Sequence, residues 1–379
     1  MRITLDLSPA VHHHAGLGRY AHELLTALTQ IDPANTYQSI YYAPTGHERP
    51  DPPLDRLPSQ AIRLPAKPWR LSVLLADFAG LGMDDWLPHT DIFHATDHLL
   101  PPLKRARSVF TIHDLIYQFF PEHHLPLNRW YLRLMLPRFM RRANAIIAVS
   151  ENTRRDVTRL MNIPAEKITV IHEGVNPRFR PISEANALAQ VRATYQLPER
   201  FILFLGTLEP RKNLLRLIEA YHALVTRNAT TPPLVLAGRK GWLFQPIFER
   251  VKALGLEDKT IFTGWIAEAD APLLLSAAEV FAYPSVYEGF GLPPLEAMAC
   301  GTPVITSNAS SLPEVVGNAG ILLSPDDAPA WANALERVLS DAGLRADLRA
   351  RGLARARQFT WEATARQTLA VYQQVADGK

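Results

Sequence analysis

The sequence predicts an α/β protein of two doubly wound domains, and two observations lead to this prediction. Short apolar, β-branched runs alternate with longer segments in which apolar residues recur three and four positions apart, as in the segment 214–224. Such alternation is typical of parallel sheets covered by helices on both faces. The chain of 379 residues contains about thirteen such runs, which is too many for a single ordinary sheet.

The predicted strands form two groups separated by a proline-containing junction near 175–198. The first group is 2–7, 37–42, 61–64, 91–95, 108–113, 145–149 and 168–171. The second group is 201–206, 234–238, 260–263, 280–283, 303–306 and 320–323. We therefore expect one domain over 1–180 and a second beginning at 181. The densest proline patch, 50–68, is interpreted as an irregular surface connection.

The composition excludes several classes of protein. The chain is 47% hydrophobic and 20% charged, as soluble globular proteins are, and its formal net charge of +3 is too small to predict nucleic-acid binding. The single cysteine, Cys300, excludes a disulfide framework and a cysteine-based metal cluster. No segment has the pattern of a signal peptide or the length that spans a bilayer, so we expect a cytoplasmic protein.

Charge and histidine are distributed unevenly between the two halves. Residues 1–180 carry 21 basic and 17 acidic residues, whereas residues 181–379 carry 19 and 20. Twelve of the 13 histidines precede residue 181, including a run at 12–14 that we interpret as a polar loop rather than a metal site. This asymmetry predicts that the two halves have different partners.

The first strand leads into a loop, His12-His-His-Ala-Gly-Leu-Gly-Arg-Tyr20, that opens a helix predicted at about 17–30. Gly16 and Gly18 allow a ligand to approach the backbone, and a helix N-terminus favours anions. The third glycine of a dinucleotide fingerprint is missing because position 21 is alanine, which disfavours a dehydrogenase. A structural turn and a phosphate or substrate loop both stay open.

The strand at 108–113 ends in His113, at the sheet edge where open α/β proteins bind ligands. An imidazole in that position can donate a hydrogen bond to a hydroxyl or phosphate, or accept a proton. The alternative is a polar residue that only ends a strand. We treat His113 as a candidate functional residue.

The strand 201–206 is followed by the segment Gly206-Thr-Leu-Glu-Pro-Arg-Lys-Asn213. Pro210 suits the first turn of a helix, so we expect Arg211 and Lys212 within that turn. Cations there oppose the helix macrodipole, and a bound anion would resolve the conflict. The pair therefore predicts a diphosphate site, with a solvated basic turn as the alternative.

A second motif follows the strand 280–283, in the segment Glu288-Gly-Phe-Gly-Leu-Pro-Pro-Leu-Glu296. The glycines beside Phe290 allow a ligand to approach the backbone closely. The two prolines are expected to start a helix that Gly301 ends, with Glu296 in its first turns. Paired carboxylates can bind the vicinal hydroxyls of a hexose and a ribose, whereas Glu296 alone could simply complement the helix dipole.

Together these segments resemble the retaining GT-B glycosyltransferases of family 4. In the second half the resemblance rests on the two motifs just described and on Ala299-Cys-Gly-Thr-Pro-Val304. In the first half it rests on Gly16-Leu-Gly-Arg-Tyr20, Thr111-Ile-His-Asp-Leu115, Ala148-Val-Ser-Glu151 and His172-Glu-Gly-Val-Asn176. It covers nearly the whole chain and is weakest over 45–90.

The resemblance implies a GT-B architecture, in which two Rossmann-like domains face a central cleft. The domain over 1–180 would take the acceptor, and the domain over 181–358 would bind the nucleotide sugar. A final helix over 359–379 would cross back to the first domain. Such enzymes retain the anomeric configuration and generally need neither a metal nor a cofactor.

The resemblance also implies roles for individual residues. Arg211 and Lys212 would hold the donor diphosphate, and Glu288 would contact the donor hexose. Glu296 would bind the ribose, and His113 would lie near the reacting centre. The other expected contacts to the nucleotide sugar are Gly16, Gly18, Gly206, Ile266, Gly289, Phe290, Gly291 and Leu292.

Within the family, the segment 111–115 with Pro121-Glu122 and Ser150-Glu151 is most similar to bacterial mannosyltransferases of polysaccharide assembly. GDP-mannose is therefore the expected donor, and a glycan or lipid-linked sugar the expected acceptor. A UDP-sugar transferase and a non-catalytic nucleotide-sugar sensor are the alternatives. The arginine-rich stretch 129–142 is interpreted either as a peripheral contact with the inner face of the plasma membrane or as a core helix with basic flanks.

Overall fold

The computed structural model describes residues 1–123 and 125–378. The chain divides into two structural units, each built on its own parallel sheet. The N-terminal unit comprises Met1–Gly174 together with the residues from Thr360 onward, and the C-terminal unit comprises Val175–Phe359. The first boundary thus follows Gly174 instead of residue 180, and the last segment starts at Thr360 instead of residue 359.

Seven strands form the sheet of the N-terminal unit. They are β1 (Arg2–Asp6), β2 (Thr36–Tyr42), β3 (Ser59–Ile62), β4 (Ile92–Ala95), β5 (Arg107–Ile112), β6 (Ala145–Ala148) and β7 (Ile168–Val170). Their order is β3-β2-β1-β4-β5-β6-β7, and every neighbouring pair is parallel. Each overlaps a strand predicted from the sequence.

The proline patch at 50–68 is not wholly irregular, so that interpretation was wrong in part. It contains β3, which pairs with β2 in the register Ser39↔Ser59. The prolines at 58 and 65 flank this strand without interrupting it. Because β3 lies at the edge of the sheet, it needs hydrogen bonds on one side only, which makes nearby proline tolerable.

Among the described residues before 162, the N-terminal unit contains six α-helices. They are α1 (Ser8–Val11), α2 (Ala15–Ile31), α3 (Ala66–Phe78), α4 (Ile116–Phe119), α5 (Pro126–Arg142) and α6 (Glu151–Met161). Helix α2 buries Leu24, Leu25 and Leu28, at the spacing of one helix face. Helix α6 begins where the Ser150 side chain accepts a hydrogen bond from the Thr153 N–H, and it ends at the left-handed Asn162.

The C-terminal unit has six strands, all parallel to their neighbours. They are β8 (Ile202–Leu205), β9 (Leu234–Ala237), β10 (Thr260–Gly264), β11 (Val280–Tyr283), β12 (Val304–Ser307) and β13 (Ile321–Leu323). The order β10-β9-β8-β11-β12-β13 reverses its winding between β8 and β11. Ligands of doubly wound sheets bind at the carboxyl ends of the strands beside such a reversal.

Eight helices belong to the C-terminal unit. They are α7 (Ala185–Thr194), α8 (Leu214–Arg227), α9 (Gln245–Ala253), α10 (Ala271–Ala277), α11 (Leu292–Ala299), α12 (Leu312–Val316), α13 (Ala328–Ser340) and α14 (Ala342–Ala356). Helix α8 buries Leu214, Leu217, Ile218, Tyr221 and Leu224, the face expected from the sequence. Helix α11 starts just before the two prolines, and Gly301 follows it with a positive φ of 76°.

The last helix, α15 (Trp361–Ala376), packs within the N-terminal unit. The Thr364 hydroxyl donates a hydrogen bond to the His172 carbonyl oxygen at 2.7 Å. A Cβ on Gly174 would lie 2.2 Å from the Trp361 nitrogen, so only glycine fits there. Within the described residues, no helix combines the length and apolar character needed to cross a bilayer.

Candidate active site

The turn after β8 carries the two cations that the sequence singled out. Residues Pro210–Lys212 form a 3-10 turn, and the left-handed Asn213, with φ of 55°, separates it from α8. Arg211 and Lys212 therefore precede the long helix, and the expectation that they lie in its first turn was wrong. The physical reason is that Asn213 breaks the run of helical dihedrals before α8 begins.

Both cations are paired with carboxylates of the same unit. Lys212 Nζ lies 2.6 Å from Glu288 Oε1 and donates to the Tyr283 hydroxyl at 2.6 Å. Arg211 contacts Glu288 Oε2 at 2.8 Å and Glu209 Oε1 at 2.7 Å. The sequence led us to expect that a bound anion would resolve the conflict between these cations and the helix macrodipole, but Glu209 and Glu288 already compensate their charge. We refer to Glu209, Arg211, Lys212, Tyr283 and Glu288 as the charged cluster.

Burial and charge together set the protonation states of the charged cluster. Burial favours the neutral form of Glu288, but the charges of Arg211 and Lys212 prevail and lower its pKa to about 2. Burial, together with Arg211, lowers the pKa of Lys212 below its ordinary value. Burial also raises the pKa of Tyr283 well above 10, so its hydroxyl remains a hydrogen-bond donor near neutral pH. Glu288 is therefore a carboxylate and cannot serve as a general acid.

Serine side chains hold the loop that carries Glu288. The Ser285 hydroxyl donates to Glu288 Oε1 at 2.6 Å, and the Glu288 N–H donates to the Ser310 hydroxyl at 2.8 Å. The Ser311 hydroxyl lies 2.9 Å from the Glu288 carbonyl and 2.5 Å from the Phe290 carbonyl. This bonding fixes the loop backbone, including Gly289, immediately before α11.

The remaining residues of this motif lie at the start of α11. Gly291, with φ of 121°, precedes the helix, and an added Cβ there would approach the Leu312 side chain to 2.9 Å. Leu292 and Phe290 are buried, and Glu296 lies within the helix with 4% of its surface exposed. The motif is thus a rigid loop and a short helix that bring two carboxylates to one region of the unit.

In the N-terminal unit, His113 immediately follows β5 and is buried. Its Nε2 must donate to the Thr96 carbonyl oxygen, at 3.0 Å, because a carbonyl can only accept. Its Nδ1 lies 3.5 Å from Glu173 Oε1, and the Tyr20 ring packs edge-on against it at a centroid distance of 4.7 Å. His113 is therefore anchored through Nε2 by its own unit, and its Nδ1 faces the Glu173 carboxylate.

The glycine loop differs from its sequence prediction. Helix α2 begins at Ala15, so Gly16 and Gly18 both lie inside it. A Cβ on Gly18 would lie 2.6 Å from the Pro9 carbonyl oxygen, so packing against α1 explains that glycine. Gly16 faces open space. Gly18 therefore has a structural reason, but the reason is close packing of α2 against α1 and not a tight turn.

The histidine run beside this helix is held by local contacts. His12 stacks on Tyr42 at a centroid distance of 4.1 Å, and its Nε2 hydrogen-bonds the Tyr42 carbonyl oxygen at 2.9 Å. His14 is the residue that precedes α2. Among the described residues, no group of three or more His, Cys, Asp or Glu side chains is arranged to hold a metal ion.

Comparisons with known proteins identify the family of this chain. Residues 14–179 match glycosyltransferase family 4, and residues 191–355 match glycosyl transferases group 1. The chain is 38% identical over 282 residues to O-antigen chain mannosyltransferase B of Escherichia coli, spanning 74% of each protein. It is 34% identical over 264 residues to the E. coli serotype-specific mannosyltransferase WbdA, covering 68% of this chain but only 32% of that longer protein.

The chain belongs to the family 4, group 1 glycosyltransferases. A solved structure of sucrose-phosphate synthase from Thermosynechococcus elongatus matches it with a TM-score of 0.76 and 23% identity, over 100% of both chains. That likeness establishes the GT-B fold, in agreement with the fold expected from the sequence.

Ten of the thirteen site residues predicted for this glycosyltransferase lie in the C-terminal unit, and His113, Gly16 and Gly18 lie in the N-terminal unit. Hydrogen bonds and ion pairs join Arg211, Lys212 and Glu288 directly. Gly206 lies against the next strand's loop, since a Cβ on Gly238 would be 1.9 Å from the Gly206 carbonyl oxygen. Ile266 is buried in the loop after β10.

Several residues of the site were not predicted from the sequence. Glu209 lies within the predicted motif but was given no role, and Tyr283, Ser285 and Gly238 were not candidates. Glu209 could have been found from its position two residues before Arg211, since buried cations need a nearby carboxylate. Tyr283 and Ser285 carry no local signal, because only the fold brings them to Glu288.

Proposed function

We propose that this glycosyltransferase is a retaining mannosyltransferase that uses GDP-mannose and transfers mannose to a glycan or lipid-linked acceptor during polysaccharide or glycolipid assembly. The observation that carries the diphosphate part of this proposal is the buried pair Arg211 and Lys212, after the carboxyl end of β8. The mannose assignment is supported by the likeness to an O-antigen chain mannosyltransferase at 38% identity.

The charged cluster suits a leaving diphosphate for an electrostatic reason. Two cations that are already oriented by Glu209 and Glu288 need little reorganisation when negative charge develops on the leaving group. A diphosphate carries more charge than one carboxylate, so it competes with Glu288 for Lys212 and Arg211. Displaced from the cations, Glu288 becomes free to accept a hydrogen bond from a donor sugar hydroxyl.

In the proposed reaction the bond between the anomeric carbon and the diphosphate oxygen breaks, and a bond to the acceptor oxygen forms on the same face. The acceptor proton passes to an oxygen of the leaving diphosphate. We assign no metal ion to this step, because Arg211 and Lys212 supply the positive charge that the leaving group requires.

A panel of GDP- and UDP-sugars, incubated with and without a mannoside acceptor and with and without EDTA, tests this proposal. We expect transfer from GDP-mannose, undiminished by EDTA, with an α-linked product identified by the anomeric coupling in NMR. A preference for UDP-sugars would overturn the donor assignment, and an inverted product would overturn the retaining mechanism. Absence of turnover with every donor would favour the non-catalytic sensor.

We further propose peripheral contact with an anionic membrane, but through α3 and not through the apolar side of 129–142. Within α5, which contains the whole of that stretch, Leu132, Met135, Leu136, Phe139 and Met140 are buried in the core of the N-terminal unit. Helix α3 instead exposes Leu71, Leu75 and Phe78 to 55%, 59% and 55%, on one face of the helix.

One arginine of α5 accompanies this apolar row, since the Arg138 guanidinium lies 4.6 Å from the centre of the Phe78 ring and also pairs with Asp77 of α3 at 3.2 Å. Cations beside exposed apolar side chains favour an anionic interface. We expect the double variant Leu71→Glu, Leu75→Glu to lose sedimentation with phosphatidylglycerol vesicles. Leu243→Glu, at an exposed leucine of the C-terminal unit, is the control. Equal sedimentation with anionic and neutral vesicles would contradict the proposal.

A further inference from the structure

A group of polar side chains lies where the winding of the N-terminal sheet reverses, between β1 and β4. Asp6 ends β1, and Thr96, Asp97 and His98 follow β4. The Thr96 hydroxyl donates to the Asp6 carbonyl oxygen, and the Thr96 carbonyl accepts from His113 Nε2. The loop after β4 is thus anchored on both sides at the edge where doubly wound sheets bind ligands.

Asp97 and His98 form an oriented pair on this loop. His98 Nδ1 lies 2.7 Å from Asp97 Oδ1, which also accepts the His98 backbone N–H at 2.6 Å. Burial lowers the pKa of His98, but the hydrogen bond and charge of Asp97 prevail and raise it. Since Nδ1 donates to the carboxylate, Nε2 is an acceptor in the neutral ring and a donor in the protonated ring. The described residues provide no hydrogen-bond partner for His98 Nε2 or Asp97 Oδ2, although the two side chains are only 18% and 14% exposed.

Hydrogen-bond donors lie near the same loop. The Arg70 guanidinium is 5.9 Å from the centre of the Tyr131 ring and donates to Asn128 Oδ1 at 3.3 Å. Asp97 interacts electrostatically with both Arg70 and Tyr131. The Tyr131 hydroxyl is buried and has no hydrogen-bond partner among the described residues. A buried hydroxyl without a partner is costly, which points to a ligand or water that completes it.

The mixture of groups indicates the chemistry of the ligand. Asp97 offers an acceptor, Tyr131 and Arg70 offer donors, and His98 Nε2 accepts or donates according to the protonation of its ring. Sugar hydroxyls donate and accept at once, so adjacent hydroxyls of one ring can satisfy both sets. A phosphate is disfavoured, because Asp97 is a carboxylate and Asp6 and Asp114 interact electrostatically with this pair.

We propose that Asp97 and His98, with the Tyr131 hydroxyl, bind hydroxyl groups of the acceptor sugar. This assignment rests on the proposed transferase function and names the residues of the N-terminal unit that select its acceptor. Asp97 orients the imidazole, and its second oxygen and His98 Nε2 contact the acceptor.

Steady-state kinetics of the full chain with GDP-mannose and methyl α-mannopyranoside test the assignment. We expect Asp97→Asn to raise the acceptor KM at least ten-fold and to leave the donor KM and the acceptor-free hydrolysis of GDP-mannose within two-fold of wild type. Tyr131→Phe keeps the ring and removes only the hydroxyl, so a rise of a few-fold in the acceptor KM is expected. Asp55→Asn, at an exposed carboxylate of the same unit, is the control.

An unchanged acceptor KM in Asp97→Asn would overturn the assignment, as would an equal fall in donor hydrolysis. Saturation-transfer NMR with methyl α-mannopyranoside gives a readout that does not need turnover. We expect a signal with the wild type and its loss in Asp97→Asn, with the thermal transition of the variant as the check on folding. If the wild type gives this signal but no transfer from any donor, the proposed function fails while the binding site stands. Equal signals from the two proteins, or none from the wild type, would overturn the site.

Discussion

The charged cluster of the C-terminal unit and the Asp97–His98 loop of the N-terminal unit differ in whether their polar side chains have partners. Every charge of the cluster has a partner within the unit, as Lys212 and Arg211 have in Glu288. On the Asp97–His98 loop, an imidazole nitrogen and a carboxylate oxygen have none among the described residues. A buried unpaired charge costs far more than a partly exposed polar atom that lacks one hydrogen bond, which explains the difference.

This difference suggests how each region meets its ligand. A charged ligand must exchange with a carboxylate at the paired cluster, because the cations are already compensated. A neutral ligand rich in hydroxyl groups needs only to form hydrogen bonds with the atoms of the Asp97–His98 loop that lack partners. The first site is therefore sensitive to the charge of its residues, and the second to their hydrogen-bonding capacity.

Removing a cation of the cluster gives the largest expected effect. Lys212→Ala should lower kcat for transfer about 1000-fold, as the loss of a charge that stabilises a transition state does. The fold should persist, since Glu288 keeps Arg211 as its partner. Lys252→Ala, at an exposed lysine of α9, is the control for a general loss of positive charge. Near-normal turnover in Lys212→Ala would remove the cluster from the active site.

Neutralising Glu288 tests whether this carboxylate occupies the place of the donor diphosphate. Glu288→Gln leaves Arg211 and Lys212 with one carboxylate fewer, so we expect GDP to bind about ten-fold more tightly and transfer to fall about 100-fold. Calorimetric titration with GDP measures the first effect. Glu249→Gln makes the same charge change at an exposed site. Weaker GDP binding in Glu288→Gln would mean that Glu288 supports the phosphate site instead of competing for it.

The two regions also differ in how far the sequence predicts them. All thirteen predicted strands overlap observed ones, because buried parallel strands are continuous apolar runs. Arg211 and Lys212 were predicted because cations at the start of a helix conflict with its macrodipole, and Glu288 was predicted because it precedes a glycine-rich segment that carries a second carboxylate. The pairing itself was not predictable, since Glu288 reaches Lys212 across 76 positions of sequence.

The Asp97–His98 loop carried no motif that sequence reasoning could use. The role of this loop depends on the adjacency of β1 and β4, which are far apart in the sequence but pair with Thr4 opposite Phe93. The glycine loop also depends on the fold. The sequence left a structural turn and a ligand loop both open, and the small size of Gly18 is required by the Pro9 carbonyl, a contact that only the fold reveals.

Asp6, which lies beside the Asp97–His98 loop, allows the effect of charge in that part of the N-terminal unit to be measured. Burial raises the pKa of Asp6 from 3.8 to about 6, so the folded chain binds this proton more tightly than the unfolded chain. The tighter binding of the proton by Asp6 in the folded chain contributes fully to stability below pH 3.8, and this contribution is lost as the pH rises through 6. At pH 8 the ionised group costs on the order of 3 kcal/mol. Asp6→Asn should raise the free energy of unfolding by up to about that amount at pH 8 and by little near pH 4, as measured by urea denaturation. An equal gain at both pH values would show that charge is not the cause.

Tyr372→Phe should give the smallest effect, because it removes a neutral hydrogen bond. The Tyr372 hydroxyl lies 2.6 Å from His94 Nδ1, and His94 Nε2 lies 2.7 Å from the Thr111 hydroxyl, all of them buried. Burial lowers the pKa of His94 to about 3, so the ring is neutral in any ordinary assay. Losing the hydroxyl leaves one imidazole nitrogen without a partner, which costs about 1–2 kcal/mol of unfolding free energy.

The matched control is Tyr41→Phe, at a buried tyrosine of the same unit. A larger loss of stability in Tyr372→Phe than in Tyr41→Phe is the expected result, together with a fall of a few-fold in transfer. If the two variants were equally stable, the bond from α15 to His94 would contribute nothing beyond packing. If Tyr372→Phe instead lost as much activity as Lys212→Ala, the expectation that charged residues of the cluster matter more for activity than this neutral hydrogen bond would be wrong. The terminal helix would then belong among the elements that position His113.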